Sequence, residues 1–180
     1  MSKSGQSTSL PTSAEAAQGS LIVRIDDRSI SLTTGGGEDW MLPVGVVTLL
    51  DGPLELADRP NPEQLANALG AASDHLEDVL VESPMVGAAT QLTITGPHAD
   101  MIARVELGLD HVPPGYMLER AAADEVFRTL VAEPRGERIH NPGLAADHVD
   151  SVVATCCIVL ALMRRLNLQR VHIRAAEGGG

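Results

Sequence analysis

Residues 141–174 read NPGLAADHVDSVVATCCIVLALMRRLNLQRVHIR, and this stretch decides the fold class. Pro142-Gly143 break the chain, Asp147 or Asp150 stands where a helix cap belongs, and from Val152 to Met163 only Thr155 is not apolar. A segment so uniformly apolar has to be buried. A bilayer span needs about 20 apolar residues, and Arg164-Arg165 interrupt this one sooner, at the end of a helix that favours cations. The run is therefore a core helix. After Asn167, the alternation Val171, His172, Ile173 has the period of a short strand. A buried helix that delivers a strand to a sheet makes the chain α/β.

The remaining composition fits one domain. The chain has 180 residues and 44% hydrophobic content, but one Trp, one Tyr and one Phe, so its core is packed with aliphatic side chains and alanine. Acids outnumber bases 24 to 13, a net charge of −11. Such a surface repels nucleic acid, anionic lipid and polyphosphate, and no basic run overrides it: the only lysine is Lys3 and the arginines are scattered. Neither a nucleic-acid partner nor a membrane is expected. Cys156 and Cys157 are adjacent within the apolar helix, point to different sides, and suit a reducing compartment as buried thiols. With no apolar leader in the Ser/Thr/Gly-rich N-terminus, the expected location is the cytoplasm.

Taken in order, residues 1–19 read as a disordered tail, 20–174 as the folded lobe and 175–180 as a flexible end. Leu21–Ile25 and Ser29–Thr33 read as strands joined by the turn Asp26-Asp27-Arg28, and a third strand is expected within Trp40–Leu50, disturbed by Pro43 and Gly45. Asn61-Pro62 opens a helix whose apolar stripe includes Leu65, Ala68, Leu69, Ala72, Leu76 and Val79. Gln91–Thr95 is a fourth strand. Helices are expected over about His98–Leu107 and Ala121–Ala132, before the long helix and the last strand. The order is three strands, helix, strand, two helices, long helix, strand.

That order matches the ribonuclease H-like plan shared by actin, sugar kinases and heat-shock ATPases: a mixed five-stranded sheet with helices on both faces. Within it, four stretches resemble the exopolyphosphatase and guanosine pentaphosphate phosphohydrolase (Ppx/GppA) family. Asn141-Pro142-Gly143-Leu144, Asp150 and the run to Val171 are similar to the family's P-G-L, R-A-D, long helix and terminal strand. LPVGVVTL (42–49) resembles L-P-L-G-A-V-R-L, TGPHADMIARVELGL (95–109) resembles V-A-G-T-A-T-T-L-A-A-L-D-L-G-L, and VRIDDRSISL (23–32) lies where the family has V-D-I-G-G-G-S-T-E-L. The likeness implies the second of two lobes, without the preceding lobe that supplies a first phosphate loop and a catalytic glutamate.

The departures fall on the chemistry. Where the family's second phosphate loop has three glycines, this sequence has Asp26, Asp27 and Arg28, leaving Ser29 as the hydroxyl. Bare backbone can approach a phosphate; carboxylates about 4 Å from one repel it by roughly 4 kcal/mol per unit charge pair at a near-surface dielectric. The third loop, G-T-A-T, reads Pro97, His98, Ala99, Asp100, which trades hydroxyl donors for an imidazole and an acid and removes an amide donor. Thr48 stands at an arginine position, and the closing G-L-R-E-G has become Ala175-Ala176-Glu177-Gly178.

Each of these residues has a second reading. Asp26, Asp27 and Asp100 could hold magnesium, or be turn and helix-start residues. His98 could be a general base, or simply border a helix start. Cys156 and Cys157 could be nucleophiles, but no neighbouring charge activates them, and His140 and His148 complete no zinc pattern. Gly35-Gly36-Gly37 falls between strands, which makes it a loop rather than a phosphate cradle. The expectation is a non-catalytic relative with no cofactor, retained for protein association as a homo-oligomer or with a second chain. The alternatives are a magnesium-dependent phosphohydrolase completed by a separate lobe, with Ser29, His98 and Asp100 nearest the phosphate, and a metabolite-sensing module.

Overall fold

In the computed structural model, which describes residues 18–176, one sheet carries the whole architecture. Strands β1 (Ser20–Ile25), β2 (Ile30–Thr34) and β3 (Asp39–Leu42) form an antiparallel meander. Alternation sends Leu21, Val23, Ile25, Ile30 and Leu32 into the core and leaves the residues between them on the other side. β4 (Gln91–Thr95) and β6 (Arg170–Ile173) continue the sheet parallel to β1, and β5 (Met117–Glu119) closes it antiparallel, in the order β3-β2-β1-β4-β6-β5. β6 follows every other strand in sequence yet enters between β4 and β5.

The class and the mixed sheet are as expected, but among the described residues the strands number six rather than five, and the buried strand side chains share one face while those of the other face are half-buried or exposed. The additional strand β5 has only three residues behind Pro113-Pro114-Gly115, too few for alternation to show. The third strand also ends at Leu42, and Val46–Asp51 forms helix α1 instead of continuing it. Its β-branched residues favour a strand, but the carbonyls of Asp26 and Asp27 accept from the amides of Val46 (3.2 Å) and Val47 (2.7 Å), which start a helix.

Helix α2 (Pro62–Glu82) begins where the sequence places it. The Asn61 side chain accepts from the Gln64 amide and the Gln64 side chain accepts from the Asn61 amide, both at 2.9 Å, a reciprocal cap behind Pro62. After the short α3 (Pro84–Gly87) and β4 comes α4 (Met101–Leu107), in which residues 98–100 are a turn rather than helix. α5 (Arg120–Ala132) and the single turn α6 (Arg135–Arg138) lead to α7 (Ser151–Arg165). Every α7 side chain from Val152 to Met163 is buried, and α7 packs against α1, α2, α4 and α5. Asp150 holds the helix-start position without a side-chain cap; its carboxylate accepts from Arg135 Nε at 3.0 Å.

Arg138, 1% exposed, is buried among carbonyls. Its guanidinium donates to Leu130 O (3.0 Å), Val149 O (3.2 Å), Asp58 O (3.0 Å) and Glu133 O (3.0 Å), so it ties the end of α5 to the approach to α7 and to the loop before α2. Two of these carbonyls end α5, where helix geometry leaves acceptors without internal donors and the dipole favours a cation.

The expected N-terminal tail lies outside the described residues except for Gln18 and Gly19, and Gly19 O already accepts from the Thr90 and Gln91 amides. Of the expected flexible end, residues 177–180 lie outside as well. Among the described residues no helix is long and apolar enough to cross a membrane.

Candidate functional site

The residues singled out by sequence come from two turns at the carboxyl ends of β1 and β4, the edge where ligands of open parallel sheets are held. The first turn, Asp26–Ser29, is closed by the Asp26 amide donating to Ser29 O at 3.0 Å. Its backbone lies against α1: a Cβ at Gly45 would come within 2.6 Å of Asp26 O and Arg28 N, so only glycine lets the two segments meet. Thr48 caps α1 through Oγ1, accepting from the Gly45 amide at 2.6 Å and donating to Gly45 O at 2.8 Å.

The second turn starts at Gly96, whose φ of +101° and whose distance of 2.6 Å from a would-be Cβ to Ile25 O exclude any side chain. This approach places Pro97 to Asp100 beside the first turn. His98, its side chain 11% exposed, then reaches across: Nε2 lies 2.7 Å from Asp27 Oδ1, while the Asp27 side chain is 65% exposed. Nδ1 is buried without a partner among the described residues, and an ionised carboxylate can only accept, so the neutral ring carries its proton on Nε2, donating to Asp27. The imidazole and the carboxylate thus span the two loop positions as a clasp.

The other candidates do not converge. Arg24 Nε donates to Asp26 Oδ2 at 2.9 Å, and Asp100 lies 4.0 Å from Arg104 one helical turn on, without a side-chain cap to α4. Among the described residues no three His, Cys, Asp or Glu side chains form a group that could hold a metal ion, and Asp26, Asp27 and Asp100 pair with Arg24, His98 and Arg104 respectively. Ser29 takes part through its carbonyl, and Pro97, as expected, offers no amide. Gly35–Gly37 is the β2–β3 hairpin turn. His148 sits beside Asp147 (Nε2 to Oδ2, 3.8 Å) and not near a ligand set.

The two thiols are inert. Burial pushes the Cys157 thiol up to about 12, against the lowering influence of Arg164, and raises the Cys156 thiol well above its ordinary value, with Cys157 adding to it. Neither can be a thiolate near neutral pH. Sequence reasoning named Asp27 and His98 separately but missed the clasp, because its partners are 71 residues apart and no spacing pattern links them.

No family model and no curated protein matches the sequence. Solved structures do. The Ppx/GppA enzyme of Aquifex aeolicus is 18% identical, with a TM-score of 0.74 over 89% of this chain and 54% of that one. An exopolyphosphatase-like protein is 16% identical, with a TM-score of 0.76 over 88% and 54%. An exopolyphosphatase from Cytophaga hutchinsonii is 18% identical, with a TM-score of 0.65 over 87% and 53%. At this identity the likeness establishes the fold, that of one lobe of Ppx/GppA phosphatases. The chain spans about half the length of these structures.

Proposed function

We propose that this chain, built on one lobe of the Ppx/GppA fold, is a non-catalytic domain that acts in protein association or regulation. The observation that supports the reading is the clasp: His98 and Asp27, 2.7 Å apart, bond to each other at the two loop positions where relatives by resemblance grip phosphate. An anion seated there has to break that bond and lie beside the carboxylates of Asp26 and Asp27, a repulsion of about 4 kcal/mol per unit charge pair at 4 Å. The fold itself favours the competing reading, a phosphohydrolase acting on polyphosphate or guanosine pentaphosphate with a separately supplied lobe.

Phosphate release from polyphosphate in the presence of magnesium separates the two readings. The expected result is no release above the protein-free blank, for the wild type and for an Asp26→Ala/Asp100→Ala double variant alike. Release by the wild type that the double variant abolishes would overturn the non-catalytic reading.

A further inference from the structure

The strand registers sort the solvent side of the sheet into rows. Ile22 pairs with Thr33 and Thr93, Thr93 with His172, and His172 with Met117, which makes one middle row across five strands. Arg24 and Thr95 pair in the row above, and Arg170 lies in the row below. No strand side chain on this side is buried, and Ile22 and Met117 are 38% and 40% exposed. Parallel strands such as β1, β4 and β6 ordinarily have both faces covered, because their middle residues are too apolar for water. Here the side bearing Leu21, Val23, Ile94 and Val171 is fully buried and the side bearing Ile22 is not.

Charge identifies what fits. On a chain of net charge −11, three arginines surround this floor. Arg24 and Arg174, with Thr95, line an open depression of about 610 Å³, and Arg170, with Thr93 and Met117, lines a second of about 720 Å³. Arg24 is held by Asp26, whereas the guanidinium groups of Arg170 and Arg174 have no carboxylate partner among the described residues. The acids on this side are Glu119 on β5, the register partner of Arg170, and Asp39 on β3, which leaves Arg174 clear of both. Size narrows the choice further. Six strands about 4.8 Å apart and five residues long give roughly 24 by 17 Å, about 400 Å². That is half of what one side of a standard protein–protein interface covers, too little for a second copy, and matched to one helix about 10 Å across.

We infer that the solvent side of β1, β4 and β6 is the docking groove for one amphipathic helix of a partner protein. Its apolar stripe sits on Ile22, Thr93 and Met117, and its acidic borders meet Arg24, Arg170 and Arg174. The inference deepens the association reading and rests on it, but its test is separate: phosphate release decides catalysis, and groove occupancy decides this.

The probe is a synthetic peptide of about 14 residues with leucine at i, i+3 or i+4, and i+7 and glutamate on both borders, alongside a twin with lysine in place of glutamate. Both are titrated into the isotope-labelled full chain by NMR. The acidic peptide is expected to bind with a dissociation constant below about 1 mM, to shift the amides of Ile22, Thr93 and His172, and to bind at least about ten-fold more tightly than its lysine twin. Arg170→Glu/Arg174→Glu, two exposed changes, is expected to reverse that preference. Equal binding of the two peptides, shifts elsewhere, or no shifts at about 1 mM would overturn the inference. So would a concentration-dependent dimer that Ile22→Asp dissolves, since it would give the groove to a second copy.

Discussion

Replacing Arg138 by methionine keeps the length and apolar body of the side chain and removes the whole guanidinium. In the folded chain that group is 1% exposed and bonds four carbonyls, those of Asp58, Leu130, Glu133 and Val149. Burial pulls the arginine's pKa down, opposed by Asp150, Asp58 and Glu133, yet a guanidinium keeps its proton at any ordinary pH, so a full charge is solvated here by backbone alone. Each carbonyl left without a donor costs about 1–3 kcal/mol, and the four are not additive because some recover water. A net loss of about 4 kcal/mol follows, in line with about 3–5 kcal/mol for removing one partner of a buried charged group. In a domain of this size that lowers the melting temperature by roughly 8–16 °C. Arg138→Lys keeps the charge but not the planar fork, and should lose about half as much. The control is Arg128→Met, which gives up an ion pair to Glu125 whose side chains are 70% and 71% exposed, and should cost under about 1 kcal/mol. Urea unfolding followed by circular dichroism reads all three. A loss below about 1 kcal/mol for Arg138→Met, equal to the surface control, would refute the assignment of Arg138 as the tie between α5, the loop before α2 and the approach to α7.

Gly96→Ala should be poorly folded or lose several kcal/mol by thermal melting, because the residue has φ +101° and no room beside Ile25 O, whereas Gly136→Ala, with nothing within 4 Å of its would-be Cβ, should be neutral or gain up to about 1 kcal/mol. Asp27→Ala removes the acceptor of the His98 bond and should cost about 1–2 kcal/mol while speeding amide exchange in both turns; unchanged exchange at residues 96–100 would show that the clasp holds nothing. Cys156 and Cys157 should ignore a thiol reagent in the native protein and both react in urea. The Cys157 value of about 12 against 9.0 for a free thiol also fixes a sign: between these values the unfolded chain loses a proton that the folded chain keeps. Stability due to this group is therefore intact below about pH 9 and falls by about 1.4 kcal/mol per unit toward pH 12.

Local signals were legible wherever a few neighbouring residues settle the matter. Gln91–Thr95 forms the strand its sequence announces, Asn61-Pro62 starts α2 with the cap its residues allow, and the run from Val152 to Met163 is buried along its full length. What was not legible depends on distant partners. Val46–Val47 look like a strand until the carbonyls of Asp26 and Asp27 meet their amides. Arg138 looks like any scattered surface arginine until the chain brings Asp58 to it. At the site, Asp26, Asp27 and Arg28 could be read directly as standing where the resembled family has glycines. The clasp between Asp27 and His98 could not, because it needs Gly96 to carry one turn against another.

The position of β6 bears on how such a chain comes off the ribosome. Until Arg170–Ile173 emerge, β4 and β5 have no common neighbour, and α7 has no strand to hand over. A nascent chain at that stage presents an unsealed backbone edge together with a greasy helix, the combination that other polypeptides adhere to. The sheet is therefore completed only when Arg170–Ile173 are added, and truncation just before Arg170 yields a sticky fragment instead of a shortened but orderly one.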